Sequence, residues 1–137
     1  MRYICTSIVA TLALVGTSFA ATINVPGDQP TIAAAISASS DGDVINIAAG
    51  TYNEHSLNTG GKAITIIGAI NGDGTPATII DGNNSHRILK CNSGETDATV
   101  IMNLVIQNGN ESNGNGAGID IESGSSPKIS NCVFSNN

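Results

Sequence analysis

Asn103-Leu104-Val105-Ile106-Gln107-Asn108-Gly109 and Asn131-Cys132-Val133-Phe134-Ser135-Asn136-Asn137 spell one phrase twice, 28 residues apart: asparagine, apolar, Val, apolar, any residue, Asn, turn residue. A second phrase repeats upstream of each copy. Leu89-Lys90-Cys91-Asn92-Ser93-Gly94 answers to Ile119-Asp120-Ile121-Glu122-Ser123-Gly124, with two residues fewer before the asparagine phrase that follows. Two short strands and a turn therefore recur together. A repeat of this length, built from period-2 strands separated by Gly, Asn and Ser, is the mark of a stacked array rather than a closed globule.

Working outward to the start of the chain, Met1 to Ala20 has a basic residue at Arg2, an apolar run from Ile4 to Val15, and Ser18-Phe19-Ala20, which suits the small-x-small cleavage rule. This reads as a secretory leader cut after Ala20. The competing reading, a membrane anchor, needs roughly 20 apolar residues, and this run is too short. Residues 21–137 would then form one domain, carrying four basic residues (Lys62, Arg87, Lys90, Lys128) against eleven acidic ones, a net charge of −7. Nucleic acid is excluded as a partner, since phosphate binding needs clustered Lys and Arg. With no Trp, two Tyr and two Phe, the core must be aliphatic.

Cys5 leaves with the leader, while Cys91 and Cys132 remain in an oxidising compartment where a disulfide is conceivable. The repeat argues against one, because Cys91 aligns with Ile121 and Cys132 with Leu104, on different strands. Both read as small buried apolar residues. At the other end the chain stops inside the pattern, at Phe134-Ser135-Asn136-Asn137, with no cap for an exposed strand edge. The expectation is an incomplete domain, 21–137, from a longer parent whose further coils would cover that edge.

Between these ends, Ala21 to Val25 alternates as a strand, and Pro30 opens a helix over Thr31 to Ser39, with Ile32 and Ile36 on one face. So short a helix does not stand alone, so its Ile face is expected to cover the open end of the first coil. Asp41-Gly42-Asp43 reads as a turn, Val44 to Ile47 as a strand, and Ala49-Gly50-Thr51-Tyr52 as a sharp exit. Asn58 to Gly61 reads as a loop, Ile64 to Ile67 as a strand, Ile79 to Gly82 as a short strand, and Ile88 to Cys91 as another. Asn71-Gly72-Asp73-Gly74 has the centre of a calcium loop, but Ala69 and Ile80 stand where ligands are needed, so it reads as a turn. His55 and His86 each read as isolated surface residues without zinc-ligand spacing. Asn83-Asn84-Ser85 and Asn110-Glu111-Ser112 fit the glycosylation sequon.

Ile23-Asn24-Val25-Pro26-Gly27-Asp28-Gln29-Pro30-Thr31-Ile32, Ala49-Gly50-Thr51-Tyr52-Asn53-Glu54, Ile64 to Ala69 and Thr78-Ile79-Ile80-Asp81-Gly82 resemble, in this order, the opening of pectin-lyase-like right-handed parallel β-helix proteins. Towards the end, Phe134 and Asn137 match the Phe-x-x-Asn of the polymorphic outer-membrane-protein repeat, and Gly116-Ala117-Gly118-Ile119 approximates its Gly-Gly-Ala-Ile. The resemblance implies an all-β solenoid, a right-handed parallel β-helix of roughly four coils spaced about 4.8 Å apart, with one N-terminal capping helix. The inward rows would hold Ile45 and Ile47, Ile64 and Ile66, Leu89 and Cys91, Leu104 and Ile106, Ile119 and Ile121, then Cys132 and Phe134. Asn103 and Asn131 would stack as a ladder at a bend, satisfying backbone groups there.

Two function classes compete on this frame. One is an exported, non-catalytic module of the cell surface or envelope, structural, adhesive or polysaccharide-binding; the other is the N-terminal part of a polysaccharide lyase or glycoside hydrolase acting on acidic glycans. Enzymes of this fold place carboxylates and bases on the outer face of neighbouring coils. With Ile119 and Ile121 inside, Asp120 and Glu122 point out, about 7 Å apart, above Lys90 and Asn92. In a lyase, the acids would bind calcium and Lys90 would abstract the proton alpha to a uronate carboxylate. No third carboxylate aligns with them, Arg87 lies outside the matched strand, and the paired Asp motifs of the hydrolases are missing. The cluster reads instead as a surface ion pair, with no resident metal or cofactor, which favours the non-catalytic class.

Overall fold

The computed structural model describes residues 19–112, 114 and 116–137. The expected leader falls almost wholly on residues 1–18, outside the described residues. The described chain is all-β apart from one short helix, and its named strands pair in parallel within three sheets. The first sheet runs in the order β1 (Thr22–Val25), β2 (Val44–Ile47), β5 (Thr65–Gly68), β8 (Val100–Met102) and β11 (Lys128–Ser130). The second contains β3 (Gly50–Asn53), β6 (Thr78–Asp81), β9 (Leu104–Gln107) and β12 (Val133–Ser135). The third contains β4 (Leu57–Asn58), β7 (Leu89–Cys91) and β10 (Ile119–Ile121). From β2 onward the chain visits first, second and third sheet in strict rotation.

Register follows the repeated phrases residue for residue. Val133 pairs with Val105 and Phe134 with Ile106, while Asp120 pairs with Lys90 and Ile121 with Cys91. In the first sheet Ile23, Ile45, Ile66, Ile101 and Ile129 stand opposite one another in succession. The middle three of this isoleucine row are fully buried. Each such side chain contributes roughly 1.5–3 kcal/mol of burial, so the row is a large part of the core. Leu57 and Leu89 in the third sheet, and Ile80, Leu104 and Ile106 in the second, close the interior from the other sides.

Most expected rows are inside, but two residues are not. Ile121 is 44% exposed and Phe134 48%, because β10 and β12 are the last strands of their sheets and no strand lies over them. Four strands are additions to the sequence reading: β3, taken there as an exit turn, β4, taken partly as a loop, and β8 and β11. Residues 69–77 leave the parallel frame in a small antiparallel excursion, with Ile70 bridging Pro76. Asp73 ties that loop internally by accepting from the Thr75 amide and hydroxyl, at 3.0 and 2.7 Å.

The helix α1 (Ile32–Ala38) is capped by Thr31, whose hydroxyl accepts from the Ala34 amide. The Glu54 carboxylate accepts from the Ile32 and Ala33 amides at 2.8 and 2.9 Å, satisfying two more donors of the first turn. Ile32, Ala35 and Ile36 are buried where α1 packs on β1, β2 and β4, the strands nearest the N-terminal end of their sheets. The expected packing of this helix holds.

The bend between the first and second sheets takes a single residue after β8. Asn103 adopts a left-handed conformation there, as does Asn131 one repeat later, at φ of 60° and 46°. Asn131 Nδ2 donates to Asn103 Oδ1 at 2.9 Å, which makes the asparagine ladder. Asn is the side chain best able to hold this conformation while pairing its amide locally. At the end of β5, the strand beside β8, Gly68 faces the same bend. A Cβ on Gly68 would stand 2.2 Å from the Asn103 carbonyl oxygen and 2.8 Å from Thr78 Cβ. Gly68→Ala is therefore expected to destabilise the fold by about 2–3 kcal/mol, read by urea denaturation.

Both cysteines are free. Cys91 lies on β7 and Cys132 precedes β12, in different sheets, and burial pushes both thiols above the usual range.

Candidate functional site

On the outer face of the third sheet, Asn58, Lys90 and Asp120 stand in register, one above the other. Their alternation with Leu57, Leu89 and Ile119 puts the apolar set inside and this set outside. The structure brings Lys90 and Asp120 together as the repeat implied, Lys90 Nζ lying 4.0 Å from Asp120 Oδ2. Glu122 does not join them. It is exposed beyond β10, and its amide donates to the Cys91 carbonyl.

Asp120 is not the exposed partner of a surface ion pair. It is 5% exposed, and the chief reason is Arg87, whose Nη1 lies 2.8 Å from Asp120 Oδ2. The contact is short without hydrogen-bond alignment, so the compensation of this carboxylate is mainly Coulombic. Arg87 sits just before β7, outside the matched strand, but its long side chain reaches the neighbouring strand β10. Its Nε donates to the Gly116 carbonyl at 3.0 Å, and Nη2 lies 3.6 Å from Glu111 Oε2. Glu111 arrives from the 108–118 loop, at a position no strand pattern marks.

A pocket of about 220 Å³ opens over this cluster, between Ser56, Asn58, His86, Arg87, Lys90 and Glu111. The two histidines meet at its rim. Their rings stack with centroids 4.9 Å apart and planes 29° from parallel. The pairing of β4 on β7 creates this contact, since the Ser56 amide donates to the Arg87 carbonyl and carries His55 alongside. The sequence reading treated these histidines as isolated, because their proximity is a property of strand pairing and not of spacing.

Beneath the next corner lies Glu95, which no local motif singled out. It is 1% exposed, and its carboxylate accepts from Thr59 Oγ1 at 2.6 Å, the Gly61 amide at 2.9 Å, the Ser93 amide at 2.9 Å and Ser125 Oγ at 2.7 Å. These donors come from the loops after β4, β7 and β10, so one side chain fastens the loops that follow three successive strands of the third sheet. Burial alone would push the carboxyl up; the four donors outweigh it and hold it at about 2.

No helix among the described residues is long and apolar enough to cross a membrane. No family model, curated protein or solved structure matches the chain.

Proposed function

We propose that this chain is an exported, non-catalytic module of the cell surface or envelope, folded as a pectin-lyase-like right-handed parallel β-helix, that presents the outer face of its third sheet to polysaccharide. The rotation of the strands through three parallel sheets supports the solenoid reading. The observation that carries the functional reading is the closed charge cluster. Arg87 is the main counter-ion of the buried Asp120 carboxylate and Lys90, at 4.0 Å, a secondary one, so a Lys90 that gave up its proton to act as a base would take a charge out of the cluster. Asp120, covered by two cations, offers no open carboxylate for calcium. What the face does offer is donors and acceptors around a shallow pocket: Asn58, Asn92, His86 and the exposed third of Lys90. At about 220 Å³ the pocket is smaller than the roughly 300–1,000 Å³ of small-molecule sites, in keeping with contact to a segment of a long chain.

The alternative, the opening part of a polysaccharide lyase or hydrolase, draws support from one feature: Arg87, Lys90 and Glu111 line the same pocket. The test separates the two. Full chain is incubated with acidic and neutral polysaccharides, with and without calcium, and both retention and unsaturated or reducing-end products are followed. The expected result is retention without turnover, weakened roughly three- to tenfold by Lys90→Ala, equivalent to about 1 kcal/mol. Turnover abolished by Lys90→Ala would replace the binding module with a lyase.

A further inference from the structure

The Asp41-Gly42-Asp43 turn holds a carboxylate that the outer face does not use. Asp43 is 6% exposed, yet among the described residues no side-chain cation lies within ion-pair distance of its oxygens. Oδ2 accepts from the Ser40 amide at 2.8 Å. Oδ1 accepts from the backbone nitrogen of Ala21, also at 2.8 Å. Ala21 is the residue that the leader reading makes the first of the exported chain. Its carbonyl accepts from the Val44 amide at 2.8 Å, and β1 pairs on β2 from Thr22, so the nitrogen is pinned in place. Phe19 and Ala20 are exposed, which leaves the Ala20–Ala21 bond open to a peptidase.

We propose that leader removal converts this amide contact into an ion pair, the new α-ammonium of Ala21 locking onto the Asp43 carboxylate. Hydrolysis by a leader peptidase adds water across the Ala20–Ala21 bond. The oxygen goes to the Ala20 carbonyl carbon, and the liberated amine of Ala21 takes up a proton. The neutral donor at 2.8 Å becomes a charged one without moving β1, and charge-assisted bonds are roughly twice as strong as neutral ones. Of the charged groups nearby, Lys62 acts on Asp43 through its charge. Asp41, on the same turn, accepts from the Ala63 amide, and Lys62 lies in the loop before β5, donating to the Ile36 and Ser37 carbonyls. The two amide bonds, from Ala21 first and Ser40 second, already hold the Asp43 carboxyl below the usual range, so it is charged when the ammonium appears.

An α-amino group has an ordinary pKa of about 7.7–8.0, and an adjacent carboxylate raises it. The stabilisation is therefore complete below about pH 7.7 and is lost as pH rises through the folded value. The inference rests on the leader reading, so the experiment checks that separately. The full chain is secreted, its N-terminal residue sequenced, and urea unfolding compared at pH 7 and pH 9.5 for wild type and Asp43→Asn. A chain beginning at Ala21 should lose about tenfold in its folding equilibrium constant at the higher pH, whereas Asp43→Asn, which has no carboxylate for the ammonium to lock onto, should change little between the two pH values. A different first residue overturns the maturation step. Ala21 as first residue with an equal loss in Asp43→Asn overturns the ion pair. If Asp43→Asn does not fold, the reaction rate of the wild-type α-amine with an acylating reagent decides: slowed tenfold or more relative to the urea-unfolded chain supports the lock, and an equal rate overturns it.

Discussion

Glu95→Ala is expected to cost about 4 kcal/mol and to leave the chain at or near its unfolding threshold, measured by urea or thermal denaturation. The substitution removes one carboxylate but strands four donors, on Thr59, Gly61, Ser93 and Ser125, in a site closed to water. Leaving a buried donor unsatisfied costs roughly 1–3 kcal/mol, and partial relaxation of the three loops keeps the total below the simple sum. Glu95→Gln should be milder. It retains one acceptor oxygen but turns an amide NH2 towards groups that are themselves donors.

The same carboxylate sets the acid limit of the fold. Its folded value is about 2 against an ordinary 4.5, so the depressed group stabilises the native state fully above about pH 4.5. That contribution, of the order of 3 kcal/mol, is lost as pH falls from about 4.5 towards 2. An acid titration of unfolding free energy should therefore slope through this window in wild type. The slope should flatten in Glu95→Gln, the milder variant, which has no carboxyl to titrate there.

Arg87→Met is expected to destabilise by about 3–5 kcal/mol, the cost of leaving a buried carboxylate without its main partner. Lys90 remains, but at 4.0 Å and one-third exposed it compensates weakly. The double variant Arg87→Met with Asp120→Asn should recover most of the loss, since the charge that needed an arginine has gone. Recovery in the double variant identifies Asp120 as the reason Arg87 matters; equal destabilisation in both would assign the effect to lost packing. Hydrogen exchange adds a local readout. With the Gly116 and Glu111 contacts released, amides in the 108–118 loop should exchange faster while those of α1 do not change.

Strand register was legible because it is written twice. The pairings of Val105 with Val133 and of Lys90 with Asp120 follow from aligning the phrases, and so does the asparagine ladder at the bend, Asn131 on Asn103. The short strands were not. Leu57–Asn58 has no periodicity of its own and is a strand because Leu89 and Lys90 stand beside it. Alternation assigned Ile121 and Phe134 to the interior, but they are 44% and 48% exposed, because alternation says nothing about whether another strand lies above. The candidate site was half legible. Strand pattern placed Lys90 under Asp120, whereas Arg87, Glu111 and the stacked histidines reach the face through side-chain length and loop path, which a linear pattern does not encode. Glu95 left no trace because its donors lie two residues away at one loop and 30 or more at the others.

The three kinds of connection between the sheets differ in what lengths of chain they admit. From first to second sheet, the bend after β8 is Asn103 alone, while the one after β5 extends to the 69–77 excursion without disturbing the pairing of β5 with β8 or β6 with β9. The second corner grows from residues 54–56 to 82–88 to 108–118 at successive passes from the second sheet to the third, while the strands it joins keep their register. The third, which turns around Glu95, must deliver its donors to one buried point. Lineages of such a chain are free to lengthen at the first two corners and diversify what those loops touch. At the third, an insertion must still bring every donor home.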